Sequence, residues 1–250
     1  MNDLNTSAFA GESSPDAELL VDLLDANRIL FDAGVVDAFG HVSVRNDKRP
    51  EQFIMSACIA PAMVEADDLV VFDLDGNALT EDGRTFYAER FIHSEIYKAR
   101  PDVCAVVHSH SPAVLPFCAS RAGRLRPVCH MSGFLGSGAG WFEIRDHAGE
   151  GSDLLVRTRP LGASLARSLE SHAVVLMRGH GCTVVAASLR VAVYRAIYTN
   201  LNAQVQLSAQ SLGEPIFLTA EEARSTAAAN ESQVDRAWRL WVDKARRTTK

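Results

Sequence analysis

The stretch "AVVHSHSPAV", residues 105–114, constrains this chain more than any other. An apolar run typical of a buried strand ends in His108 and His110, separated by Ser109. Side chains of a strand alternate with period two, so the two histidines point one way and the serine the other. Two imidazoles side by side at the end of a buried segment are costly unless something binds them, and a metal ion is the commonest such partner. Whatever fold forms has to deliver both rings to one point. A metal site of the catalytic kind takes about three protein ligands, so another must come from a rigid place elsewhere.

"MRGHGCTVV" offers His180, held between Gly179 and Gly181 after a second apolar run. Glycines there allow positive φ or a close backbone approach, either of which aims the imidazole. "AERFIHSE" contributes Glu89 and His93, four apart and so on one helix face, just before the histidine strand. Glu89 is expected either to ligate the metal or to move a proton. His93 is either catalytic or a core histidine.

The elements around these residues alternate. Residues 16–32 show helical spacing, with Gly34 as a stop. "HVSVR" and "QFIMS" read as strands, and "DLVVFDLDGNAL" as a strand, an Asp-Gly-Asn turn and a returning strand. "YAERFIHSEIYKAR" is a helix stopped by Pro101. "PAVLPFCAS" starts a helix, residues 124–140 are irregular, "SDLLVRT" reads as a strand and "PLGASLARSLES" as a helix. "AVVLMRGHGCTVVAAS" is two strands joined at His180. A long amphipathic helix follows from Ser188, and residues 219–246 contain a second. This order argues for one α/β domain over residues 15–250 around a mixed sheet, behind a flexible arm of residues 1–14.

Composition narrows the function classes. A net charge of −6 without a basic block argues against nucleic-acid and membrane-surface binding. No apolar run reaches the ~18 residues of a membrane span, and the acidic N-terminus is neither a signal nor a transit peptide. Five scattered cysteines without a CxxC pair read as free thiols in a reducing compartment, the cytoplasm.

Four elements in order, "FGHVSVR", "AERFIHSEIYKARPDVCAVVHSHS", "RGHG" and the long helix after it, resemble the class II aldolase/adducin family over residues 16–215. The resemblance implies a three-layer α/β/α sandwich. It also implies one divalent metal ion per subunit (zinc, manganese, iron or cobalt) on His108, His110 and His180. Glu89 matches the family acid that approaches the metal and acts in proton transfer. Family enzymes are usually homotetramers acting on small molecules, with sites near subunit interfaces.

The chain departs from the aldolase pattern where that pattern binds a sugar phosphate. Aldolases carry Gly-Asn before the serine that matches Ser43, a Thr-Gly pair after the second strand, and Ser-Ser before the acid. Here those places read Gly40-His41, "SACIAP" and Tyr87-Ala88. Phosphate needs close N–H groups and small hydroxyls, which Tyr87 and Ala88 do not supply. Arg45 and Arg90 lie near the site in sequence, and arginine grips a carboxylate bidentately.

Together with "RPVCHMSGFLG" and "FEIRD", the pattern looks like the family's decarboxylase branch, which removes one carboxylate from hydroxylated aromatic or pyridine dicarboxylates in catabolism. The expected substrate contacts are then His41, Ser43, Arg45, Arg90 and His130, with Met131 and Phe134 shaping a flat apolar pocket. Glu89 or His93 would protonate the ring carbon, and Arg90 or Arg45 would hold the retained carboxylate. A class II aldolase cleaving a hydroxy-keto substrate is the alternative, because both reactions leave an enolate-like oxyanion beside a carbon. A non-catalytic adducin-type scaffold is disfavoured by the complete histidine set. A metal hydrolase is disfavoured by the continuation "SPAV", which lacks the Asp-His that follows HxH in such enzymes.

Overall fold

Seven short strands and eight helices alternate along the chain in a computed structural model that describes residues 14–80, 83–121 and 123–248. The strands are β1 (His41–Arg45), β2 (Gln52–Ser56), β3 (Leu69–Asp73), β4 (Ala105–Ser109), β5 (Gly140–Phe142), β6 (Val174–Met177) and β7 (Gly181–Ala186). The helices are α1 (Ala17–Asp32), α2 (Arg90–Ala99), α3 (Leu115–Cys118), α4 (Arg145–Ala148), α5 (Arg159–Leu169), α6 (Leu189–Leu212), α7 (Ala220–Glu231) and α8 (Val234–Thr248). One sheet contains all seven strands in the order β3-β2-β1-β4-β7-β6-β5. Its pairs are antiparallel except β5–β6, which is parallel, so the sheet is mixed as expected.

Period-two alternation splits the core into two layers. Val42, Val44, Ala105, Val107 and Val184 pack with Leu23, Ile29 and Leu30 of α1, with Ala192 and Val193 of α6 and with Trp238 of α8. Phe53, Met55, Val106, Val175 and Val185 face the other way, onto Ile92, Ile96 and Tyr97 of α2 and Leu165 and Leu169 of α5. Helices therefore cover both faces and the sandwich has three layers. His108 continues the face of Val106, so the sheet delivers it to the α2 side.

Several elements differ from their sequence reading. The strand expected to return from β3 is a single bridge, Phe72 to Ala78. The Asp73 carboxylate takes the N–H groups of Asp75 and Asn77 and holds that segment as a tight turn. β5 lies at the end of the stretch read as irregular, and at three residues it is too short to show a period. Residues 219–246 hold two helices, not one; Thr219 and Glu222 cap the first reciprocally. "SDLLVRT" is not a strand: Leu154 has φ of 69° and the segment pairs with no neighbour along a ladder. The expected arm of residues 1–14 lies outside the described residues except for its last. Among the described residues no helix is long and apolar enough to cross a membrane.

Candidate metal centre

Register brings the site together. β1 and β4 pair so that His41 sits directly opposite His108. His110 follows the end of β4, and His180 occupies the turn from β6 to β7. Both flanking glycines are required there, for different reasons. Gly179 has φ of +65°, a conformation that other residues enter at a cost. Gly181 passes so close to β4 that a Cβ would overlap the Ser109 carbonyl oxygen. Gly181→Ala is therefore expected to push β7 off β4, with a stability loss of about 3 kcal/mol or more from overpacking and loss of metal affinity. A thermal melt and a metal titration check both.

The three imidazoles converge. His110 Nε2 lies 3.0 Å from His108 Nε2 and 2.9 Å from His180 Nε2. Glu89 Oε2 is 3.4 Å from His180 Nε2 and 3.7 Å from His108 Nε2. These four ligand atoms all lie within 4.8 Å of one another. His180 Nδ1 meets the Leu154 carbonyl at 2.9 Å, so Nδ1 carries the hydrogen and Nε2 keeps its lone pair. Thr183 gives its own hydrogen to Met177 Sδ and offers its oxygen to His108 Nδ1 at 3.4 Å, which leaves His108 Nε2 in the same state. Burial first, and then neighbouring histidines, hold His108 well below the usual histidine range and lower His110 as well. Three Nε2 atoms crowded beside a carboxylate form a donor set that a divalent cation completes, so the residues fit the expected metal.

Glu89 sits one residue before α2 begins, not inside a helix. Its Oε1 accepts the Val156 N–H at 2.8 Å, and the carboxylate is buried. The irregular segment after α4 thus supplies both outer contacts, the Leu154 carbonyl to His180 and the Val156 N–H to Glu89. Sequence reading missed both residues, because any residue type carries these main-chain groups.

His93 does not open onto the site as a direct proton donor would. It is fully buried, with Nε2 on His41 Nδ1 at 2.6 Å and Nδ1 on Ser43 Oγ at 2.6 Å. Burial pushes it down to about 3. Ser43 Oγ also meets the Tyr97 hydroxyl at 2.7 Å. Ser43 is thus an internal link rather than a substrate contact. His41 remains at the site, its ring 5.0 Å from that of His108 and 4.7 Å from that of Tyr87.

The two arginines are committed elsewhere. Arg45 donates to the carbonyls of Val103, Pro50, Tyr97 and Arg100 and lies over the Tyr97 ring. Arg90 donates to the Gly76 and Tyr87 carbonyls and lies over Phe91. His130 is exposed, in a 3₁₀ turn that packs against α6 and α7. Its carbonyl accepts from Asn230. Met131 and Phe134 meet Tyr194 of α6, so among the described residues this turn is not joined to the histidine cluster.

An antiparallel-rich sheet with a strand-end HxH, a glycine-flanked histidine and an acid at a helix start defines a class. The model of the Class II Aldolase and Adducin N-terminal domain matches residues 21–207, and the chain belongs to that family. Among its relatives, Decarboxylase tropJ of Talaromyces stipitatus is 40% identical over 237 residues, covering 86% of this chain and 89% of that protein. The 3,4-dihydroxyphthalate decarboxylase of Arthrobacter keyseri is 33% identical over 200 residues, covering 75% and 77%. Among solved structures, the L-fuculose 1-phosphate aldolase of Glaciozyma antarctica superposes with a TM-score of 0.75 at 24% identity, over 93% of this chain and 92% of that one, a likeness of fold.

Proposed function

We propose that the protein is a metal-dependent decarboxylase of a hydroxylated aromatic or pyridine carboxylate, one of the dicarboxylates such as a dihydroxyphthalate. The observation that carries this reading is the Glu89, His108, His110 and His180 cluster, with Tyr87 packed on His41 beside it. The Tyr87 ring packs on His41, and its hydroxyl donates to the Ile59 carbonyl. Small hydroxyls and free N–H groups would be needed there to hold a sugar phosphate. The similarity to proteins named decarboxylases supports the same reading.

A divalent metal held by the cluster would supply a Lewis acid beside the breaking bond. The chain's own residues do the rest. When CO₂ leaves, the electron pair of the carbon–carbon bond stays on the ring carbon and spreads onto the adjacent oxygen. A proton must then reach that carbon. Glu89 is the acid of the cluster, and its Oε1 is fixed on Val156 N–H, so Oε2 is oriented for one proton. The homotetramer expected of the family, with sites near subunit interfaces, belongs to the same proposal.

The test is to incubate metal-loaded protein with hydroxyphthalates, pyridine dicarboxylates and hydroxy-keto acids and to assay CO₂ against aldehyde. CO₂ release that requires a hydroxyl next to the leaving carboxylate is expected. Aldehyde without CO₂ would restore the aldolase. Because Arg90 gives its Nε–H and an Nη1–H to the Gly76 and Tyr87 carbonyls, Arg90→Met should leave the ratio of kcat/KM for diacid and monoacid within about twofold of wild type, the spread of an uninvolved position. A collapse of that ratio would place Arg90 on the substrate.

A further inference from the structure

A row of buried polar groups runs from the second layer of the core to the edge of the metal cluster. Tyr97, Ser43, His93 and His41 are each at most 4% exposed. Three contacts link them: Tyr97 hydroxyl to Ser43 Oγ at 2.7 Å, Ser43 Oγ to His93 Nδ1 at 2.6 Å, and His93 Nε2 to His41 Nδ1 at 2.6 Å. The row exists because two periods coincide. His93 and Tyr97 are one turn apart on α2, and His41 and Ser43 are two apart on β1, so both pairs face the space between helix and sheet.

Hydrogen accounting gives the row a direction. A buried tyrosine hydroxyl has to donate, and among the described residues its acceptor is Ser43 Oγ. Ser43 then turns its own hydrogen to His93 Nδ1. His93, neutral because it is buried, carries its hydrogen on Nε2 and gives it to His41 Nδ1. His41, accepting at Nδ1, is left with its one hydrogen on Nε2. No partner among the described residues takes that N–H. The reverse direction would strand the Tyr97 hydrogen in the core, at a cost of about 1–3 kcal/mol for an unmade bond.

We infer that Tyr97, Ser43 and His93 are positioning residues that lock His41 as the Nε2–H tautomer, and that His41 donates this hydrogen to an anionic oxygen of the substrate lying beside His108. The inference rests on the proposed decarboxylase reading for the identity of the oxygen, but not for the tautomer. A neutral imidazole fixed as a donor suits this place. It stabilises charge that builds on oxygen during bond cleavage without adding a cation next to the metal ligands. It also explains a serine, a histidine and a tyrosine together in a core that apolar side chains would otherwise fill.

The experiment begins with ¹⁵N NMR of zinc-loaded protein labelled at histidine, with His41→Gln used to assign the signal. His41 should be protonated at Nε2 and bare at Nδ1; the opposite tautomer overturns the inference whatever the enzyme turns over. Saturation with 2-hydroxybenzoate should shift the His41 Nε2–H resonance, and no shift at saturation overturns the donor role. Tyr97→Phe frees the fixed end of the row. It should mix the His41 tautomers and lower kcat about tenfold, part of the ~100-fold cost of losing an oxyanion donor outright. Metal content and KM should stay as in wild type, because uniform binding is not what is lost. Unchanged tautomer and unchanged kcat in Tyr97→Phe overturn the relay. If that variant fails to fold, Ser43→Ala against Ser43→Thr gives the same reading: the hydroxyl of threonine should restore both the tautomer and kcat. Absence of CO₂ release in wild type would fail the decarboxylase reading while leaving the tautomer result standing.

Discussion

Alanine at His110 or at His180 is expected to strip the metal and lower turnover by about three powers of ten. Each supplies an Nε2 to the common point, at 3.0 Å and 2.9 Å from its neighbours, so removing either leaves two imidazoles and one carboxylate. A Lewis acid beside a developing charge is worth several kcal/mol, and each ~1.4 kcal/mol is a factor of ten in rate. These two positions test the site better than His108, which is fully buried, because truncating His108 also opens a cavity in the sheet. The measurement is metal per subunit by elemental analysis after dialysis, alongside CO₂ release with excess metal added back. The melting temperature without metal should barely move in His110→Ala and fall somewhat in His180→Ala, which also loses the Leu154 contact, whereas added zinc should raise it in wild type and not in the variants. Stoichiometric metal in both alanine variants would dismantle the centre.

How far the site can be read without coordinates depends on which atoms build it. The histidines declare themselves because a strand's period of two and a glycine pair leave few ways to place their rings. Glu89 is read instead from its spacing of four to His93 and its match to the family acid, although the helix that was to carry it starts only at Arg90. Leu154 and Val156 contribute a carbonyl and an N–H, groups present in every residue, so "SDLLVRT" shows only its apolar alternation and reads as a strand. Its backbone is spent on His180 and Glu89 instead of on a neighbouring strand.

Arg45 is set aside by distance, and Arg90 by the Gly76 and Tyr87 carbonyls that its guanidinium meets. Arg45 shares a face of β1 with His41, but four residues at ~3.3 Å each carry it about 13 Å along the strand. There it meets the carbonyls that end α2. Nearness in sequence is therefore a poor guide to which guanidinium groups reach a ligand. By contrast, the spacing of Ser43 and Tyr97 contains the relay, but only after α2 is known to lie across β1.

Glu89→Gln is expected to keep the metal and lose at least about 100-fold in turnover, the usual scale for removing general acid–base help. The substitution separates two duties of one side chain. Glutamine retains a carbonyl oxygen where Oε1 accepts the Val156 N–H at 2.8 Å, so the segment that also holds His180 through Leu154 stays in place. What disappears is the negative charge at Oε2 and the capacity to take up and return a proton there. Glu89→Ala should do more harm, since the buried Val156 N–H then loses its acceptor at about 1–3 kcal/mol and the second contact of His180 loosens with it. The comparison is of metal content, melting temperature and kcat in the two variants. If glutamine turns over at nearly the wild-type rate, the proton comes from another group, and His41 becomes the next residue to test. If glutamine loses metal as fully as His180→Ala does, the carboxylate is a ligand first, and the proton has to be sought among the groups that approach the ring from the open side of the cluster.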